Sequence, residues 1–509
     1  MLEASKYTHN TRAFVRWMNT LSSPFDEDLR SPIYKDLTRP ELHSSFLDQV
    51  PLTGSRFSEH MQARERKELE YLLLPWSNRP SWADWGPDKV AEYYKPPDPP
   101  LTTLNDAVAS FVSKFGTPTA NWPIRKGYDR LPSSTNSGLP YLQNKWKSRR
   151  GTELLNEIEQ AYARDEFLEY PPSMPMWRVD PPGKVRFAWA EPKIEAISGA
   201  SIVYPCIEHY RNHDPFVAWK GPQATGELMR DVLRRVTTEN VLSVDYSGYD
   251  MTQSPKLTRA TFAWLHRMMG SPKPNFYDAW IKNLTAGPVL TPDYEYTGPH
   301  GMPSGSVATN LFDSLHNAFA IEGYLLSFGI EGAKYFVQGD DAVIIGNGVD
   351  PEDFARFVED DYGFIAHPDK QFFSSSGGAA DYLRMSYYPE NDFRPTYPVS
   401  RIAWRMIGHE RFSFQPSQWN EWAVVVRATQ QLENGIWNPS IKALIRWTML
   451  GDKLRLGYDM TPQEVLEAAG KTGDILTRER ARWDPGAAQH AWDSWPVHRL
   501  IREVGDRMR

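Results

Sequence analysis

Two acidic clusters, each at the end of an apolar run, constrain this chain more than any other feature. The first is Asp245-Tyr246-Ser247-Gly248-Tyr249-Asp250, which follows Val241-Leu242-Ser243-Val244. The second is Gly339-Asp340-Asp341, held between Lys334-Tyr335-Phe336-Val337 and Ala342-Val343-Ile344-Ile345. The apolar runs predict buried strands, and the second pair predicts a hairpin with the acidic residues at its tip. Gly-Asp-Asp taken alone is equally well a plain hairpin turn, because Gly and Asp are turn residues. The apolar flanks shift that balance: a buried hairpin carrying two carboxylates needs a cation or donors to compensate them. Like charges repel, so their convergence needs a cause. A shared pair of divalent ions is the usual one, and such sites run in-line phosphoryl displacement.

The candidate residues follow from that chemistry. Asp245, leaving its strand, is placed to join Asp340 as a metal ligand. Mg²⁺ prefers oxygen and usually takes only one or two protein carboxylates plus substrate phosphates. Asp250 is placed to reach the sugar of an incoming nucleotide, with a simple helix N-cap as the plainer role. Ser304-Gly305-Ser306 precedes a predicted helix in which Thr309, Asp313 and Asn317 recur at i, i+4, i+8 and share a face. Leu311, Leu315 and Phe319 lie on other faces, and His316 reads as structural. A buried Thr/Asp/Asn stripe needs partners. A ribose 2′-hydroxyl, both donor and acceptor, suits it. Lys184 and Arg186 alternate, so on an extended segment they point the same way, which suits gripping a triphosphate. A solvated basic strand is the competing reading. Lys370 by itself is a loop lysine. Lys145-Trp146-Lys147-Ser148-Arg149-Arg150 is a basic run with an aromatic inside it.

A chain of 509 residues exceeds what one hydrophobic core usually supports, so several subdomains are expected. The net charge of -7 argues against nucleic-acid binding at the surface, but an internal basic channel would focus a polyanion inward. A single Cys206 excludes an intramolecular disulfide and fits a reducing compartment. No signal-peptide core and no run near the roughly 18 apolar residues of a membrane span is present, so a soluble protein is expected. Met61 to Leu74 predicts a helix, Trp82-Ala83-Asp84-Trp85 a Trp-rich loop, and Lys95 to Pro100 an extended boundary segment. Asp350-Pro351 and the Thr461-Pro462-Gln463-Glu464 capping box open helices, with Gly363 and Gly470 as stops. The region after about residue 390 reads as mainly helical.

In order and separation these segments resemble the RNA-dependent RNA polymerases of RNA viruses. DYSGYD resembles motif A, GMPSGSVATNLFDSLHN motif B and VQGDDAVI motif C. YGFIAHPDK resembles motif D ending in Lys370, and Tyr382-Leu383-Arg384-Met385 the start of motif E. GKVRFAW resembles motif F, and Ser133 to Tyr141 motif G. Motifs A to C together are highly specific. Asp313-Ser314, where many relatives carry Asn first, looks more like the bisegmented double-stranded RNA viruses, picobirnaviruses ahead of partitiviruses. An ionised Asp313 cannot donate a hydrogen bond.

The resemblance implies an α+β right hand of fingers, palm and thumb, with an RRM-like antiparallel palm sheet and a mostly helical thumb. The expected bounds are an N-terminal region to residue 100 that can bridge fingers and thumb, fingers over 101–240 and 256–298, palm over 241–255 and 299–390, and thumb over 391–509. It implies Asp245, Asp340 and Asp341 as catalytic ligands of two Mg²⁺ ions, with Mn²⁺ as a substitute. Lys370 is expected to protonate the pyrophosphate. Lys184, Arg186, Asp250, Ser304, Gly305, Thr309, Asp313 and Asn317 are expected at the nucleotide, and Ser137, Gly138, Lys145, Lys147, Arg149 and Arg150 along the template. Template and nascent RNA, ribonucleoside triphosphates and a capsid protein are the expected partners, with no membrane. The expected setting is the virion interior and the host cytoplasm. Three rivals remain at this stage. A reverse transcriptase usually has an aromatic at Asp250 and lacks the Gly before the acidic pair. A metal-dependent nuclease would use the same carboxylates, and a non-catalytic RNA-packaging module would not need them.

Overall fold

The structure, a computed structural model, describes residues 6–132, 136–143, 146–147, 149–270, 273–409, 419–470 and 492–509. The site is built on a four-stranded antiparallel sheet in the order β6-β7-β3-β8. Here β3 is Asn240–Val244, β6 Lys334–Gln338, β7 Asp341–Gly346 and β8 Phe372–Ser374. Alternation along each strand sends side chains to two cores. Leu242, Val244, Tyr335, Val337 and Ile344 join one cluster; Val241, Phe336, Val343 and Ile345 join another. Burial on both faces explains why these strands read as continuous apolar runs. The first face is covered by Thr309–Ser327, a helix buried almost all round from Leu311 to Leu325. The second face is covered by the helix Pro222–Leu233 and by a small hairpin of β9 (Ala380–Tyr382) and β10 (Met385–Tyr387). A further hairpin, β1 (Met174–Val179) with β2 (Val185–Ala190), stands apart from this sheet, as does the short pair β4 (Val289–Leu290) and β5 (Glu295–Tyr296).

Helices make up the rest, and their ends follow local chemistry. In chain order, α1 is Thr11–Ser22, α2 Arg39–Gln49, α3 Glu59–Leu69, α4 Trp82–Tyr93, α5 Leu104–Phe115, α6 Ile124–Arg130, α7 Arg149–Arg164, α8 Lys193–Tyr210 and α9 Pro222–Leu233. They continue with α10 Tyr249–Thr252, α11 Pro255–Met268, α12 Pro274–Ala286, α13 Thr309–Ser327 and α14 Pro351–Phe357. The last five are α15 Val399–Ile407, α16 Glu421–Glu433, α17 Ile441–Gly451, α18 Pro462–Ala469 and α19 Pro496–Arg507. Asp350 caps α14 through the Glu352 and Asp353 amides. Thr461 and Glu464 close a reciprocal capping box on α18, and Gly470 ends it at φ 62°. Gly363 is left-handed at 74° after a π-helical turn over Val358–Tyr362.

The Trp82–Trp85 segment is a helix start and not a loop. The helix α4 runs on through Gly86 and Pro87 to Tyr93. Packing outweighs the backbone bond that Pro87 cannot make. Trp85 lies 4.6 Å from Trp177, centroid to centroid, and Trp82, Tyr93 and Phe187 fill the same cluster.

The first hundred residues join two separate regions. Leu42, Phe46, Leu69, Leu72 and Trp76 share a core with Ile402, Trp404 and Leu444 of the C-terminal helices. Downstream, Trp82 and Tyr93 pack on β1 and β2. Buried Arg401 ties the regions together, reaching Glu68 of α3 and Asp180 of the β1–β2 turn at 3.0 Å each. Glu65 accepts the Val399 and Ser400 amides at 2.9 Å each, capping α15 from α3.

Candidate active site

The register of β3 and β7 sets the acidic floor. Val244 pairs with Ala342, so one step further Asp245 stands across from Asp341. Gln338 pairs with Asp341, which leaves Gly339 and Asp340 as the two-residue turn. Gly339 has φ 61°, the left-handed conformation that such a turn needs. Burial, then the Asp340 charge, push the Asp341 carboxyl up to about 7. Asp340, an exposed residue at the tip of the turn, is also raised, through desolvation by its surroundings and repulsion from Asp245, with Arg186 and Arg384 opposing this. Three mutually repelling carboxylates at one strand edge form an all-oxygen set that a divalent cation would relieve. Among the described residues, no three His, Cys, Asp or Glu side chains converge enough to hold an ion unaided.

Helix α13 fixes the turn from behind. The Gly339 amide donates to Ser314 Oγ at 2.8 Å. Asn317 Nδ2 donates to the Gly339 carbonyl at 3.0 Å, while Asn317 Oδ1 accepts from Tyr246 at 3.1 Å. Asn317 is fully buried, and its amide is engaged on the Gly339-Asp340 turn; the expected contact with a ribose hydroxyl is not what this geometry offers. Thr309 likewise donates to the Pro303 carbonyl at 2.7 Å. Of the stripe, Asp313 alone faces Asp250. His316 is structural: its Nδ1 meets Gln253 Oε1 at 2.5 Å, and burial depresses its pKa to about 3.

Asp250 lies in the first turn of α10 behind Gly248, so it is not the N-cap. Its carboxylate accepts from Ser304 Oγ. Burial lifts it to about 6, and Asp340 adds to this. Asp313 is raised further, by burial and then by Asp250. Its Oδ1 meets no ordinary donor, and burial and the Asp250 charge make Asp313 the more readily protonated of the two. A protonated Asp313 can donate, as an amide at that place would. The Ser304 loop is held tightly. Ser306 Oγ donates to buried Glu195 at 2.6 Å. A Cβ on Gly305 would meet the Trp189 carbonyl at 1.8 Å, so only Gly fits.

Basic groups oppose this floor. Arg186 on β2 is exposed and acts on both Asp340 and Asp250. Lys184 is lowered by burial and then by Arg186, with Asp245 working the other way. Arg384, to which sequence reasoning gave no role, belongs here: it favours the charged forms of Asp340 and Asp341. It forms the β9–β10 turn with Leu383, at φ 68° and 51°. Two consecutive left-handed non-Gly residues cost about 1–2 kcal/mol each. Both angles are those a two-residue hairpin turn requires. Lys370 is exposed, ending a single turn just before β8. That segment is tied to the first acidic cluster, because Ser247 donates to the Ile365 carbonyl at 2.8 Å.

Among the described residues, the expected template positions divide between loop-building residues and surface cations. Ser137 is buried, and its hydroxyl accepts the Gln143 amide at 2.8 Å. Gly138 is left-handed, and a Cβ there would meet the Glu191 carbonyl at 2.8 Å. Both build the loop, because its chain reversal consumes their polar groups and space. Trp146 is buried and donates to the Pro132 carbonyl at 2.9 Å, so it is no stacking platform. Lys147 Nζ donates to the Asp129 carbonyl at 3.0 Å. Arg150 is exposed, 5.8 Å from the Tyr141 ring. Lys145, the Arg149 side chain and Ser133 to Thr135 lie outside the described residues.

Comparison with known proteins agrees with this architecture. A family model described as viral RNA-dependent RNA polymerase matches residues 106–440. A potential RNA-dependent RNA polymerase of human picobirnavirus (strain Human/Thailand/Hy005102/-) is 23% identical over 482 residues, covering 89% of this chain and 88% of that protein. The crystal structure of a human picobirnavirus RNA-dependent RNA polymerase superposes with a TM-score of 0.82 at 18% identity, covering 98% of each chain. Its insertion-loop deletion mutant gives 0.78 at 18% identity, covering 99% of each.

Proposed function

The chain belongs to the viral RNA-dependent RNA polymerases, and from that premise we propose that it replicates and transcribes a viral RNA genome at the Asp245, Asp340 and Asp341 cluster. As an RNA-directed RNA polymerase it takes an RNA template and ribonucleoside triphosphates. The observation that carries the proposal is the strand register that sets Asp245 across from Asp341, with Asp340 in the adjoining turn.

Polymerases of this family use divalent metal ions; we assign Mg²⁺, with Mn²⁺ as a substitute, to Asp245, Asp340 and Asp341. Bound there, such ions polarise phosphoryl oxygens and lower the pKa of an attacking hydroxyl. The side chains do the rest. Arg186 and Arg384 lie near enough to the acidic floor to pair with a triphosphate seated over it, and Lys184 extends the same row. Asp250 accepts from the ribose, steadied by Ser304 and by the proton on Asp313. Lys370 delivers a proton to the departing pyrophosphate. Arg150, with Lys147, Lys145 and Arg149, follows the template phosphates. The 101–240 and 256–298 segments serve as fingers, 241–255 and 299–390 as palm, and 391–509 as thumb. Residues 1–100 bridge fingers to thumb through the Glu68–Arg401–Asp180 contacts. Work inside a virion beside capsid protein, and in the host cytoplasm, suits such an enzyme. Among the described residues no helix is long and apolar enough to cross a membrane.

The test is RNA synthesis on a short single-stranded template with all four rNTPs and Mg²⁺ or Mn²⁺. Wild type should give template-length product, and Asp340→Asn/Asp341→Asn none. Product from both, or degradation of labelled RNA instead of extension, would refute the assignment. Undiminished elongation by Lys370→Ala would remove that residue's role.

A further inference from the structure

The Asp250, Ser304 and Asp313 group is joined by a side chain from outside the matched polymerase region. Tyr93 is the last residue of α4, upstream of residues 106–440. It is 4% exposed, with its ring 5.4 Å from Phe187 and 5.5 Å from Trp189. Its hydroxyl lies 2.8 Å from Ser304 Oγ. The direction of this bond follows from counting protons. Ser304 has one hydroxyl proton and donates it to Asp250. Tyr93 must therefore be the donor to Ser304. Burial, and then the Asp250 charge, hold its phenol well above the usual tyrosine value, so the donor proton is retained. The backbone locks the same junction: the Gly301 amide donates to the Tyr93 carbonyl at 2.9 Å, and the Met302 amide to the Asp250 carbonyl at 2.7 Å.

We propose that Tyr93 is a positioning residue for ribose selection: the one-way relay from Tyr93 through Ser304 aims the Asp250 carboxylate at the sugar. The proposal rests on the reading of Asp250 as the ribose contact. In that relay the Ser304 proton is committed to Asp250, so Asp250 keeps one orientation as an acceptor. Without the Tyr93 donor, the Ser304 hydroxyl is free to turn and Asp250 loses its fixed partner. Ribonucleotides depend on that acceptor and 2′-deoxynucleotides do not, so the loss falls on one substrate and not the other. The N-terminal region thus contributes to substrate choice as well as to the frame.

The experiment compares kcat/KM for ATP and dATP on a homopolymeric template in wild type, Tyr93→Phe, Ser304→Ala, the double variant and Asp250→Asn. Phe keeps the buried ring and removes only the hydroxyl. The ribose-over-deoxyribose ratio should fall about fivefold in Tyr93→Phe, as expected for one neutral hydrogen bond. The double variant should fall no further than Ser304→Ala alone, since the two act in series. Equal losses for ATP and dATP in Tyr93→Phe would reduce Tyr93 to a structural residue and overturn the proposal. An unchanged ratio in Tyr93→Phe, with a reduced ratio in Asp250→Asn, would overturn the Tyr93 role and leave Asp250 standing. An unchanged ratio in Asp250→Asn would sink the reading beneath it.

Discussion

Replacing Gly305 with Ala tests the packing of the nucleotide loop. An added Cβ would sit 1.8 Å from the Trp189 carbonyl, where real Cβ atoms essentially never come within 3.0 Å. Trp189 cannot retreat easily, because β2 pairs it with Pro175 and its ring is fully buried. The loop must therefore yield by more than an ångström. Ser304 and Ser306, on either side, would then lose register with Asp250 and Glu195. A misplacement of that size costs about 100-fold in rate, or about 2.7 kcal/mol of transition-state stabilisation. The assay is single-nucleotide extension kinetics, run beside thermal melting. We expect kcat/KM to fall about 100-fold, with a melting transition that stays cooperative. Activity within about twofold of wild type would mean that the loop tolerates the methyl, and the reasoning from close approach would fail.

Three other outcomes follow from the same geometry. Ser314→Ala leaves the buried Gly339 amide without its acceptor and should cost about 1–3 kcal/mol in denaturant unfolding, together with RNA synthesis. Asp250 binds its proton more tightly in the fold than when unfolded, so its contribution to stability falls as pH rises from about 4 to about 6. Asp250→Asn should therefore melt above wild type at pH 8 in chelator, with the gap closing toward pH 4; a gap that widens on acidification would contradict this. Neutralising Arg150 should lower the slope of log affinity against log salt by about one, and Lys147→Ala by less, because Lys147 Nζ already donates to the Asp129 carbonyl.

The parts of the site that sequence makes legible are those whose chemistry is local. Asp245 and Asp340-Asp341 announce themselves because an acid at the end of an apolar strand is costly and needs a reason. Asp350 and Thr461 likewise carry their helix starts within four residues. Roles set by tertiary contact are not legible. Asn317 shares a helical face with Asp313, yet one points at the Gly339-Asp340 turn and the other at Asp250, because periodicity fixes a face and not a neighbour. Ser137 lies in a matching segment but is folded inward, and only the loop's own bonds reveal it. Arg384 and Tyr93 reach the site from a strained turn and from an N-terminal helix, and neither residue type nor spacing predicts that arrival. Trp82 to Trp85, expected as a loop, opens a helix that continues through Pro87 because its aromatic face packs on β1 and β2.

Helix α13 grips both polar groups of Gly339 while showing Asp313 to Asp250 one turn away. One helix therefore sets the spacing between the proposed ribose contact and the proposed metal-binding turn, so a substitution that shifts α13 moves both together.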